Sequence, residues 1–189
     1  MSGTQYMKQM KKPKILNIKN IAESRLFRIQ SVDLEFSNGV KRLYERMQPT
    51  INEAVLIVPI INNELILIRE YAVGIEEYEL GFPKGAIDKG ESAIQAAIRE
   101  LKEEIGYGAK HVELLAKLTI SPAYFSSKMN IFIAQNLYEE KLEGDEPEPL
   151  EQIRWPINNM MQLLDVKDFN EARNISALFY AQRYLKNIS

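Results

Sequence analysis

The sequence predicts a mixed α/β (α+β) fold led by an antiparallel β subdomain, and three observations predict it. Apolar and polar residues alternate through much of Lys14 to Met47, the period of half-buried strands. Ala54 to Ile61 is an apolar run of strand length, far below the roughly 20 residues of a membrane helix. Ile94, Ala97, Ile98, Leu101 and Ile105 recur at helical spacing within Glu91 to Ile105.

In chain order, Ile15-Leu16-Asn17-Ile18 opens the β segment and apolar and polar residues alternate through Phe27 to Phe36. Ser37-Asn38-Gly39 supplies left-handed turn positions, and Val40 to Arg46 returns as the second arm of a hairpin. A second hairpin joins Ala54–Ile61 to Leu65–Ile68 across Asn62-Asn63, with both arms apolar enough for the core. Glu91 to Ile105 is predicted helical and Gly106 is placed to end it. Strands are expected at Val112–Leu118 and Ile131–Leu137. The acidic, proline-containing run Glu139–Pro149 is expected as a loop that overhangs a site, and Pro156–Leu164 and Glu171–Leu185 as helices. The organisation expected is a flexible terminus (1–13), a β subdomain (14–50) and a main domain (51–189).

Composition excludes several function classes. At 189 residues, 46% hydrophobic and 26% charged, the chain is an ordinary globular one. A net charge of −2 provides no field for nucleic acid, so an anionic ligand must be held locally by a metal or a few Lys and Arg. Cysteine is absent, which removes disulfides, thiolate metal sites and cysteine nucleophiles. The basic residues near Lys11-Lys12-Pro13-Lys14 are followed by no apolar stretch of signal-peptide length, so a cytoplasmic protein without membrane attachment is expected. The single histidine, His111, lies in a polar stretch and reads as a surface residue. Trp155, Phe125, Phe132 and Phe179 could stack on a base, although Phe132 and Phe179 read as core.

The chemistry concentrates between Gly85 and Tyr107. At 100° per residue, Glu100 and Glu104 fall within about 40° of one another on one helix stripe. Ala93 and Ala97 share that stripe and leave room for a ligand, while Glu103 turns toward solvent, four residues after Arg99, where it can pair with it. Two like-charged carboxylates one turn apart call for a cation, and Mg²⁺, which takes hard oxygen ligands together with substrate phosphates, is the natural candidate.

Gly85, Glu91, Arg99, Glu100, Leu101, Glu103, Glu104 and Gly106 match G-x5-E-x7-R-E-U-x-E-E-x-G-U, where U is bulky and apolar; only Tyr107 departs, being aromatic. On these residues the chain resembles the Nudix hydrolases. The resemblance implies an α/β/α sandwich around a mixed sheet. It implies Glu100 and Glu104 as principal Mg²⁺ ligands (with Mn²⁺ able to substitute), Glu103 as a helper to metal or catalysis, and the Lys84 carbonyl as a further ligand.

Further segments, Ser31–Gly39, Arg69–Gly74, Ser121–Asn130 and Glu143–Pro149, resemble the branch of the family that cuts ADP compounds, over nearly the whole chain after Lys14. That likeness implies hydrolysis of a nucleoside diphosphate-linked small molecule (ADP-ribose, NADH or a diadenosine polyphosphate) with release of AMP. It also implies a homodimer in which the N-terminal strands help build the partner's pocket. ADP-ribose pyrophosphatases usually carry Gln-aromatic-Arg where this chain has Glu70-Tyr71-Ala72, so Arg46 or Arg69 would have to anchor phosphate beside Tyr71. Pro122 resembles ADP-ribose-cleaving members and Tyr124 diadenosine-polyphosphate ones; with Lys128 they complete the expected substrate contacts.

The attacking water needs a base apart from the metal ligands. The acidic run Glu143 to Glu151 offers one, with Glu148 first and Glu146 and Glu151 as alternates. The rival reading is a non-catalytic sensor of the same fold, which the full set Glu91, Glu100, Glu103 and Glu104 disfavours.

Overall fold

The computed structural model describes residues 11–49 and 53–188. The chain divides into two compact units, Met1–Thr50 with Ser121–Ser126, and Ile51–Ile120 with Ser127–Ser189. The segment Ser121–Ser126 belongs to the first unit by its packing, which chain order did not indicate. The expected flexible terminus lies outside the described residues up to Met10, as does the expected boundary at 50/51; Lys11 to Pro13 carry no regular structure.

The first unit is an antiparallel sheet of β1 (Lys14–Glu23), β2 (Arg28–Glu35) and β3 (Lys41–Met47), in that order. Gly39 turns the β2–β3 hairpin at φ +81°, its N–H donating to the Phe36 carbonyl, while the Asn38 side chain accepts from Val40 N–H. Within this unit Met47 N–H also donates to the Tyr124 carbonyl at 2.9 Å. Alternation led us to expect half-buried strands, but β1 is exposed along its whole length and β3 along most of it. Only Val32 of this sheet is buried, because three strands alone provide no opposing layer.

The second unit is built on a seven-stranded mixed sheet of order β10-β5-β4-β9-β8, with β6 added on β5 and β7 on β4. The strands are β4 (Glu53–Ile61), β5 (Glu64–Ala72), β6 (Glu77–Gly81), β7 (Lys84–Ala86), β8 (Tyr107–Thr119), β9 (Lys128–Glu139) and β10 (Glu151–Pro156). β4 runs parallel to β9, and the other pairings are antiparallel. Asn62 and Asn63, both at positive φ, close the β4–β5 hairpin as two-residue turns of this kind require.

Because successive strand residues face opposite ways, the apolar runs feed two cores. Leu56, Val58, Leu65, Leu67, Ile131 and Ile133 pack under α2 (Ala172–Ile188) and a 3-10 helix at Ile157–Asp165. Val55, Ile57, Ile66, Ile68 and Phe132 pack on the other face under Ala96, Ala97 and Leu101 from α1 (Ala93–Glu100) and the segment after it. This is the α/β/α sandwich with a mixed sheet.

Several expectations are corrected. The helix expected over Pro156–Leu164 is a 3-10 helix over Ile157–Asp165, and Pro156 ends β10. Short β6, β7 and β10 were not predicted, and Glu151 begins β10 instead of lying on the acidic loop. Phe179, read as core, is 49% exposed, and Ile94 of the apolar helical period is 44% exposed, whereas Ala97, read as facing a ligand, is fully buried. Among the described residues no helix is long and apolar enough to cross a membrane.

Candidate active site

The helix that carries the acidic motif is shorter and less regular than expected. Ser92 caps it, accepting from Gln95 N–H while the Gln95 side chain accepts from Ser92 N–H, a reciprocal capping box. α-Helical geometry ends at Glu100; Leu101–Ile105 form a π-helical turn that Gly106 terminates at φ +76°. A π turn holds more residues than an α turn and commonly marks functional sites. Here it displaces Glu103 and Glu104 from the regular wheel. Glu103 is therefore half-buried instead of facing solvent, and Glu100 and Glu104 make separate contacts.

Arg99 organises the first set of carboxylates. Its guanidinium donates to both Glu91 oxygens at 3.1 Å, to Glu100 Oε1 and Glu103 Oε2 at 2.8 Å, and to the Ala86 carbonyl at 2.8 Å. One planar donor fork thus fixes three acids and the β7 backbone. Arg99 holds the Glu91 carboxyl below the usual range. Glu100 is buried, and burial pushes its carboxyl up despite Arg99. A Cβ on residue 85 would overlap the Glu100 carboxylate, so any side chain there would displace that carboxylate.

Glu104 points the other way, accepting from Lys84 N–H at 2.9 Å. Its carboxylate is enclosed, and burial pushes it up to about 8; the Lys84 ammonium opposes this, while the Glu100 and Glu70 charges add to it. Lys84 Nζ itself is held by Glu70.

Across from the π turn runs the acidic loop. Leu142 N–H donates to the Lys102 carbonyl at 3.1 Å, Lys102 Nζ pairs with Glu140 at 2.8 Å, and Gly144 passes against the Glu103 side chain. Between loop and turn lies a cavity of about 430 Å³ lined by Glu103, Glu104, Glu146, Glu148 and Gln152 among others. Glu148 accepts from Tyr78 Oη at 2.6 Å. Glu146 makes no hydrogen bond among the described residues; although the side chain is exposed, the protein around its carboxyl, then Glu70 and Asp145, raise it. Glu151 is not brought here: it sits on β10, 3.2 Å from Arg69 Nε, an approach too poorly aligned to hydrogen-bond that nitrogen.

A NUDIX domain model matches residues 50–179, more than half of the chain, and a NudE-type Nudix hydrolase N-terminal domain model matches 13–46. The chain belongs to the Nudix hydrolase family. Among similar proteins, ADP compounds hydrolase NudE of Escherichia coli is 65% identical over 95% of this chain and 96% of its own length. ADP-ribose pyrophosphatase of Bacillus subtilis is 29% identical over 89% of this chain and 95% of its own. A crystal structure of an ADP compounds hydrolase superposes with a TM-score of 0.94 at 64% identity, covering 96% of this chain and 98% of that one.

Nudix hydrolases generally use divalent metal ions, and the donor chemistry here fits one. Glu100 and Glu104 are enclosed oxygen donors whose carboxyls burial has raised, the state a bound cation would relieve. Among the described residues, no three acidic or imidazole side chains already converge as a metal cage.

The remaining residues singled out in this Nudix hydrolase are distributed as follows. Arg69, on β5, pairs with Asp168 at 3.1 Å as well as approaching Glu151. Tyr71 is half-exposed and stacks edge-on against Tyr78 at 5.3 Å. Lys128 begins β9 opposite Glu53. Arg46, Pro122 and Tyr124 belong to the first unit, where Arg46 donates to the Gln30 side chain at 3.3 Å. His111 is exposed, 3.4 Å from Glu113. Glu70 and Tyr78 were missed. Glu70 had been noted only as a departure from Gln-aromatic-Arg, and nothing local to Tyr78 announces a partner seventy residues away.

Proposed function

We propose that this enzyme hydrolyses the pyrophosphate bond of ADP-linked small molecules, ADP-ribose, NADH and diadenosine polyphosphates among them, releasing AMP. The observation that carries this reading is the meeting of the carboxylate pair Glu100 and Glu104 with the acidic loop, whose Glu146 and Glu148 share a cavity with Glu103 and Glu104. The 65% identity to a protein named for ADP compounds supplies the substrate class.

Glu100 and Glu104 would hold Mg²⁺, with Mn²⁺ able to substitute, and Glu103 and the Lys84 carbonyl would assist. When bound, such an ion neutralises charge on the pyrophosphate oxygens and makes the attacking water more acidic. Arg99 keeps Glu100 and Glu103 in place by charge-assisted hydrogen bonds. The acidic loop then accepts the water's proton. Glu146 is favoured for this because its carboxyl is raised and uncommitted, whereas Glu148 is engaged by Tyr78 and Glu151 by Arg69. Arg46, Arg69, Tyr71, Pro122, Tyr124 and Lys128 are the proposed substrate contacts. Residues 14–50 are read as the subdomain through which two copies pair, 51–189 as the hydrolase domain, and the absence of cysteine fits a reducing cytoplasm.

The test is AMP release from ADP-ribose, NADH and diadenosine triphosphate with Mg²⁺, with Mn²⁺ and with chelator. Metal-dependent AMP from at least one substrate is expected. Tight binding without cleavage under every metal condition would instead identify a sensor.

A further inference from the structure

The acidic loop is fastened at both ends, and only one fastening belongs to the motif-bearing turn. At its start, Glu140 N–H donates to the Gly106 carbonyl at 3.0 Å, Leu142 N–H donates to the Lys102 carbonyl, and Lys102 pairs with Glu140. At its end the Tyr78 hydroxyl, from β6, donates to Glu148 Oε1 at 2.6 Å, a short charge-assisted bond. Glu148 lies between Pro147 and Pro149, whose fixed φ angles leave this part of the loop few ways to move once one side chain is anchored. Glu146 sits on the stretch between the two fastenings. β6 is in turn paired along β5, and the Tyr78 ring is braced edge-on by Tyr71, so the hydroxyl is presented from a sheet edge.

We propose that Tyr78 is a positioning residue: its bond to Glu148 latches the acidic loop over the Glu103–Glu104 cavity and so sets where the loop's carboxylates stand during hydrolysis. The proposal rests on the reading above that this loop supplies the base. A side chain on a strand outside the family's acidic motif thereby governs turnover without touching the water or the phosphates.

The informative variant is Tyr78→Phe, which keeps the ring and its stacking and removes only the hydroxyl; Tyr78 is half-exposed, so folding is expected to survive. Two readouts separate the latch from the underlying reading. The first is physical: endoproteinase Glu-C cleavage after Glu143, which lies between the two fastenings, followed by mass spectrometry on the full-length protein, is expected to quicken about fivefold, as loss of roughly one hydrogen bond implies. Unchanged cleavage overturns the latch whatever the base proves to be. The second is kinetic. With a cleaved ADP compound, Tyr78→Phe is expected to lower kcat several-fold while KM stays within twofold, and the double variant Tyr78→Phe/Glu148→Ala, whose Ala has no acceptor for the hydroxyl, is expected to be no slower than Glu148→Ala alone. Multiplicative losses would mean that Tyr78 acts by another route and would overturn the proposal. If Glu146→Gln and Glu148→Gln both turn over like the unmodified enzyme, the base assignment fails, and the cleavage assay still decides whether the latch exists.

Discussion

At the level of single residues, the site is a problem of burying negative charge, and Glu104 bears most of it. Its carboxyl, enclosed and pushed up to about 8, binds a proton more tightly folded than unfolded. The stabilisation from holding that proton is fully present below the ordinary glutamate range near 4.5 and is lost as pH rises through about 8. The metal-free protein is therefore expected to lose stability between these limits, at up to about 1.4 kcal/mol per pH unit, and urea titrations at a series of pH values measure this. Glu104→Gln removes the ionisation and keeps an acceptor for Lys84 N–H. It should be more stable than the unmodified enzyme at pH 8 and yet lose most turnover at saturating Mg²⁺. A flat stability profile, or full turnover in that variant, would contradict this account. The spacing of Glu91, Arg99, Glu100, Glu103 and Glu104 was legible because all lie within one local segment, whereas Glu70, Lys84 Nζ and Tyr78 reach the site through sheet pairing that one-dimensional spacing does not contain.

The secondary-structure elements divide along the same line. β4, β5 and β9 announce themselves by long apolar runs, since both sheet faces are covered and the side chains at the centre of each strand are buried. β6, β7 and β10 are three to six residues long and carry no long apolar run, with Glu, Tyr, Lys and glycine in β6 and β7 and Glu, Gln and Arg in β10; they become strands only because β5 and β4 offer edges to pair with. The π turn is likewise invisible to a wheel that assumes one period. What fixes β6 and β7 against the helical layer is Asn174 of α2, 2% exposed, whose Oδ1 accepts from Phe82 N–H at 2.8 Å while Nδ2 donates to Glu171 at 3.1 Å. Asn174→Ala should leave the buried Phe82 donor unsatisfied and lower unfolding free energy by about 1–3 kcal/mol with an unchanged urea m-value. A loss under about 0.5 kcal/mol would mean that water or a backbone shift replaces the bond.

At the scale of the whole molecule, the first unit has alternation that predicts half-burial and strands that a single chain leaves exposed. Ile18 on β1 and Tyr44 on β3 flank Val32 of β2 across one face, and both are more than 40% exposed; Ile15, Ile21 and Phe27 add further apolar surface. A three-stranded sheet needs an opposing layer to be stable, and exposed apolar surface of this kind marks an interface. A second copy would supply such a layer by symmetry, since the same patch would meet itself about a two-fold axis. Light scattering at micromolar concentration is therefore expected to give twice the 21.8 kDa chain mass. Ile18→Glu places a charge in the middle of the patch at a position that is open in the single chain, so it should shift the mass to the monomer while the second unit keeps its fold. A monomeric unmodified protein would leave the apolar face to another partner. A dimer that survives Ile18→Glu would move the contact to the opposite face of the sheet, where Leu43 lies 64% exposed across from Asp33.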